Sequence, residues 1–78
     1  MMFHVYIVRK DTQYFVQLIN SVVSSTGIKT SAVLSESKMG MLADMAVERG
    51  EAMIDAFINA GISVQPSLGL KEEGVGHE

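Results

Sequence analysis

Asp44 and Glu48 stand four residues apart, a spacing that places two carboxylates on one face of a helix. Such a pair can divide general-acid and general-base work, provided a neighbour pushes one pKa up into the acid role. Nothing adjacent in the sequence is placed to do so. His4 and Asp11 make a base and an orienting acid only if the fold brings them together. Ser21, Ser24, Ser25, Ser31, Ser35 and Ser37 read as turn, strand and cap residues, and none sits in a GxSxG elbow. The segment GIKTS, residues 27–31, is like the end of a phosphate loop but lacks that loop's first glycine and its following helix. Cysteine is absent, and neither His4 nor His77 has a close cluster of ligands, so thiolate and metal chemistry fall away. The expectation is a protein with no catalytic residue, no metal and no cofactor, one that works by binding.

Seventy-eight residues make one small domain. A chain of this size buries only roughly 60% of the surface its unfolded form exposes, and small domains often borrow stability from a disulfide, a metal or a partner subunit. With the first two excluded, self-association is expected. The net charge of −3 is uneven: residues 1–35 carry +2, residues 36–60 carry −3 and the remainder −2. A protein that grips nucleic acid through phosphates should be more basic, so direct nucleic-acid binding by a monomer is disfavoured. No apolar run approaches the roughly 20 residues of a membrane span. The opening Met1-Met2-Phe3-His4 lacks the pattern of a secretory signal, and the cytoplasm is the expected compartment.

The elements that must position any site begin with residues 3–8, FHVYIV, a strand by composition. Residues 13–23 admit two readings. As a helix, Phe15, Leu18, Ile19 and Val22 share a face. As a strand, the segment is rich in the aromatic and β-branched types that sheets prefer. Propensity favours a hairpin through RKDTQ, with strand-helix-strand-helix-strand as the alternative order. SSTG at 24–27 is a second turn, and IKTSAVL at 28–34 a third strand, with Ile28, Thr30, Ala32 and Leu34 on one face. SESK at 35–38 resembles a helix start capped by Ser35 or Ser37. The helix then extends to about residue 60 and stops at Gly61, where a left-handed C-cap belongs. Gly50 either breaks this helix or marks a close approach. ISV at 62–64 is a short final strand ended by Pro66. Residues 1–68 thus form one α+β domain, a three-stranded antiparallel meander with one long helix and a short last strand. Residues 69–78 are expected to fray.

Asp44, Glu48, Glu51, Asp55 and Asn59 step by helical intervals and form one polar stripe. Met39, Leu42, Ala46, Met53, Phe57 and Ala60 make an apolar stripe. Met41, Met45, Ala52 and Ala56 widen the apolar arc beyond what one sheet face can cover. The surplus suggests a homodimer interface through Met41, Met45, Ala52, Met53 and Ala56. The acids Asp44, Glu48, Glu51 and Asp55 suit either plain solvation or a docking strip for a basic partner protein, such as a nucleic-acid enzyme.

VYIV-RKDTQ-YFVQL, the helical MLADMAVERGEAMIDAF and FINAGISVQPS together resemble the HicB-type antitoxin domain, which has a partial ribonuclease-H-like fold. The resemblance covers residues 3–67. The family's Pro- and Gly-containing segment after the second strand is replaced here by NSVVSSTGIKT, and no DNA-binding module comes before Glu78. The resemblance implies a dimer that blocks a small ribonuclease-type toxin without regulating its own promoter. In size and charge the chain is also similar to phage- and plasmid-borne inhibitors, anti-CRISPR proteins among them. The runner-up is a ribbon-helix-helix DNA binder, with IKTSAVL as the ribbon, Lys29, Thr30 and Ser31 facing the bases, and Gly50 separating two helices.

Overall fold

Residues 3–8 are apolar or aromatic at nearly every position, so a strand made from them offers apolar side chains to both faces and belongs in the middle of a sheet. The computed structural model, which describes residues 1–73, places this strand, β1 (Met2–Lys10), at the centre. Val5 and Val8, on opposite faces, are both fully buried. Residues 13–23 are strand as well: β2 (Gln13–Val23) pairs antiparallel with β1 from Met2↔Ser21 to Lys10↔Gln13. The two-residue turn needs no glycine or proline, because Asp11 takes φ 61°, a left-handed conformation that Asp adopts more readily than most residues.

A second turn leads to β3 (Lys29–Glu36). Here Gly27 sits at φ 85°, and the Ser24 hydroxyl accepts from the Ile28 amide at 3.2 Å. β3 pairs antiparallel with β2, and a bulge opposite Leu18 and Ile19 leaves Leu34 as the extra residue. The helix α1 (Ala43–Asn59) crosses one face of the sheet, packing on β1 and β2 and leaving β3 uncovered. The chain then returns as β4 (Gly69–Glu73), parallel to β1. The sheet order is β3-β2-β1-β4, an α+β arrangement of a meander, one helix and a fourth strand.

Several expectations are corrected. The helix starts at Ala43, not within SESK. Ser35 and Glu36 lie in β3, and Ser37 serves the sheet edge: its amide donates to the Val16 carbonyl at 2.9 Å while its Oγ accepts from the Val16 amide at 3.1 Å. The N-cap is Leu42, without a side-chain cap. The late start moves Met39 and Leu42 off the helix, where both are exposed, and Ala60 is exposed too. The buried stripe is instead Ala46, Gly50 and Ile54, flanked by Val47, Met53 and Phe57. Phe57 meets Phe3 edge-on, with ring centroids 5.4 Å apart.

Gly50 does not divide two helices, so the ribbon-helix-helix arrangement does not form. It is a point of close approach, made by side chains rather than by another backbone: a Cβ there would lie 2.7 Å from Leu68 Cδ2 and 3.1 Å from Ile7 Cδ1.

The helix ends as anticipated. Gly61, at φ 75°, donates to the Ile58 carbonyl and Ile62 to that of Phe57, the paired bonds of a Schellman cap. The expected strand at 62–64 reduces to one bridge, Val64 with Phe3. Residues 69–73 do not fray; they are β4, held against β1, and residues 74–78 of the expected tail lie outside the described residues. No helix among the described residues is long and apolar enough to cross a membrane.

Candidate protein-interaction surface

The face of α1 turned from the sheet carries Asp44, Glu48, Glu51 and Asp55, all exposed. At 1.5 Å per residue they span roughly 16 Å along the axis, within one stripe about a sixth of the helix circumference wide. Of the four, only Asp44 makes a side-chain bond among the described residues, its Oδ1 accepting from the Met45 amide at 2.9 Å in the first turn, where the helix dipole favours a negative charge. Among the described residues no cation forms an ion pair with any of the four acids. Met45, Ala52 and Ala56 are exposed beside the stripe, with Met45 retaining 53% of its surface. A strip of unpaired carboxylates next to accessible apolar surface can meet a partner that is basic and partly apolar.

The five residues expected at a dimer interface are divided. Met41 and Met53 pack against the intramolecular core around Val5, Ile7, Val16, Ala46 and Ile54, whereas Met45, Ala52 and Ala56 face outward. His4 and Asp11 are not brought together: seven residues of extended strand separate them by roughly 23 Å. Asp44 and Glu48 both lie exposed on the helix surface.

The face of the sheet away from α1 carries a polar network that local sequence patterns do not reveal. Lys10 on β1 reaches Glu36 on β3 at 2.7 Å and Glu73 on β4 at 3.8 Å, and the Gln17 amide on β2 donates to Glu36 at 3.1 Å. All four strands are thereby tied at one end of the sheet. The bond from Lys10, then that from Gln17, holds the Glu36 carboxyl below the usual carboxylate range, and Glu36 in turn raises the Lys10 ammonium. Lys10 also lies 5.1 Å from the centre of the Phe15 ring, and Lys71 lies 5.1 Å from that of Tyr6. The network reads as structural, since its charges satisfy one another.

The outer edge of β3 is a second feature that sequence patterns did not single out. Every residue of β3 is exposed, and Val33 and Leu34 each keep 52% of their surface. The available signal was the run TSAVLS, six residues without a charge or a proline. Comparison of the chain with models of known protein families, with curated protein sequences and with solved structures finds no match.

Proposed function

We propose that this protein is a small homodimeric regulator that acts by binding and inhibiting another protein, in the manner of an antitoxin or a phage-type inhibitor. The observation that carries the reading is the stripe Asp44, Glu48, Glu51 and Asp55, four exposed acids without an ion pair among the described residues, on a helix whose opposite face is locked to the sheet. Placing four carboxylates on one rigid surface gives a long-range field that speeds encounter with a positive patch and penalises an acidic one. A basic nucleic-acid enzyme is the partner class that complements it. The antiparallel meander followed by one long helix supports an antitoxin role of the HicB type, while the last strand, β4, lies beyond the residues 3–67 that carry that resemblance.

The test compares the wild-type chain with the Glu48→Lys/Glu51→Lys variant as baits in lysate of the cells that carry the protein. Both sites are exposed, so the variant should keep its helical circular dichroism and stay within about 0.5 kcal/mol of wild-type stability. A basic protein held by the wild type and released by the folded variant supports the reading, and binding to the purified partner should weaken as salt rises. Equal retention by both baits would refute the role of the stripe.

A further inference from the structure

We infer that β3 is a pairing edge that accepts the β3 of a second copy, antiparallel and in a single register. This rests on the homodimer of the proposed function and names the surface that forms it. The sheet has two edges, and they are built differently. β4 has charge in its last three residues, and two of these are paired with β1, Glu72 with Arg9 at 3.7 Å and Glu73 with Lys10 at 3.8 Å. Charged edges discourage further pairing. β3 carries charge only at its two ends, Lys29 and Glu36, and everything between is uncharged and free of proline. Neither face of β3 is covered by α1. Beside it lie Val22, Val23 and Ile28, the last with 63% of its surface open.

The register comes from the ladder. Ser24 donates to the Ile28 carbonyl at 2.9 Å, so by the alternation of an antiparallel pair Thr30 and Ala32 turn their peptide groups toward β2. The peptide groups of Lys29, Ser31 and Val33 then point out of the edge. Antiparallel strands from two identical chains are related by a two-fold axis normal to the sheet, so one residue faces its own copy. Ala32 is the midpoint: three ladder steps lead back to Lys29, and three lead on to Glu36, because Leu34 is the extra residue of the bulge. A two-fold at Ala32 therefore sets Lys29 of each copy opposite Glu36 of the other and bonds Ser31 to Val33 in both directions.

The charges are complementary and available. Lys29 has no ion pair among the described residues, and both Lys10 and Gln17 engage Oε2 of Glu36, leaving its Oε1. A dimer through the outer face of α1 is a different assembly. In the β3 pairing the two helices stand about four strand spacings, roughly 19 Å, apart, twice the distance of packed helices.

Sedimentation of the full chain over a concentration series, with three variants, tests the inference. Ser31→Pro removes an outward amide and no bond of the β2–β3 ladder, so it should leave a folded monomer. Lys29→Glu sets like charges opposite each other twice and should raise the dimer dissociation constant about tenfold or more, less so at high salt. Met45→Lys, on the helix, should leave the dimer intact. Amide exchange adds a readout independent of any variant: Lys29, Ser31 and Val33 should become protected as concentration rises. A dimer that survives both edge variants and falls apart in Met45→Lys overturns the edge, and so does protection of those amides that ignores concentration. A chain that stays monomeric overturns both the edge and the dimer. Full partner binding by the Glu48→Lys/Glu51→Lys variant from an intact dimer would instead count against the acidic stripe alone. Heterologous pairing with a partner's strand would appear as amide protection in the complex without self-association, and it also overturns the inference.

Discussion

Gly50→Ala sets two effects against each other, and the geometry says how to separate them. Gly50 lies mid-helix and buried, where alanine would gain about 1 kcal/mol of helix propensity. The new methyl would sit 2.7 Å from Leu68 Cδ2, closer than real contacts allow, and 3.1 Å from Ile7 Cδ1. Overpacking of this kind costs typically about 1–3 kcal/mol. The clash should win, giving a net loss of about 0–2 kcal/mol, or a drop of up to roughly 16 °C in Tm for a domain of this size. Leu68 is the decisive contact: it is half-buried on the connection after Pro66, and its δ-methyl is the nearest atom. Truncating it removes the shortest contact, leaving the helix gain against the lesser 3.1 Å approach to Ile7 Cδ1. In a Leu68→Ala background, Gly50→Ala should therefore be neutral or stabilising, a change of at least about 1 kcal/mol from its effect in the wild type, well above the additivity error of such cycles. Urea unfolding of the four proteins followed by circular dichroism measures this directly. If Gly50→Ala has the same effect in both backgrounds, Leu68 is not what keeps residue 50 a glycine.

The sheet-end network and the helix cap give further expectations. The Glu36 carboxyl is held below its ordinary value, so its contribution to stability is present above the usual carboxylate range and is lost as pH falls through the lowered value. Glu36→Gln should accordingly flatten the fall of the urea midpoint on acidification, and parallel profiles for variant and wild type would discount the Lys10–Glu36–Gln17 cluster. Gly61→Ala forces a side chain into a left-handed position and should cost about 1–2 kcal/mol, read as a lower Tm without loss of helix content. Ile54→Ala, at 4% exposure between helix and sheet, should cost about 2–5 kcal/mol; a smaller loss would mean that the helix is not anchored there.

How much the sequence revealed depended on whether the deciding partner was near in the chain. The strand character of residues 13–23 stems from side-chain type, and the period of the acids from Asp44 to Asp55 needs only a helix. Gly61 signals its cap through its own backbone freedom. Ser37 misleads because a serine before an acidic helix looks the same whether its hydroxyl caps that helix or bonds Val16, 21 residues away. β4 was invisible because its charged residues look like solvated tail until Arg9 and Lys10 are placed beside them. Which part of a wide apolar arc meets the sheet was also hidden. The answer turns on Ala46 and Gly50, whose small size lets α1 approach Val5 and Ile7, so Met53 turns inward while Met45 does not.

The distribution of apolar surface connects these elements to the proposed assembly. Among the described residues seven hydrophobic side chains are buried, against thirteen large ones left exposed, a poor ratio for a lone small domain. Eight of the thirteen fall in two groups. Val22, Val23, Ile28, Val33 and Leu34 surround β3, and Met39, Leu42 and Met45 lie at the start of α1, whereas only Leu70 marks β4. A two-fold at Ala32 would flank Ile28, Val33 and Leu34 with the second copy and, being normal to the sheet, would keep both helices on the same face of the joined sheet. The two acidic stripes would then point the same way, roughly 19 Å apart. A partner able to reach both gains effective concentration as well as charge complementarity, so disrupting the β3 edge should weaken partner binding even though no contact residue has changed. Ser31→Pro is the variant that separates the two contributions: a folded monomer that binds a monovalent partner fragment as tightly as the wild type, but the whole partner more weakly, would place the difference in the dimer and not in the stripe.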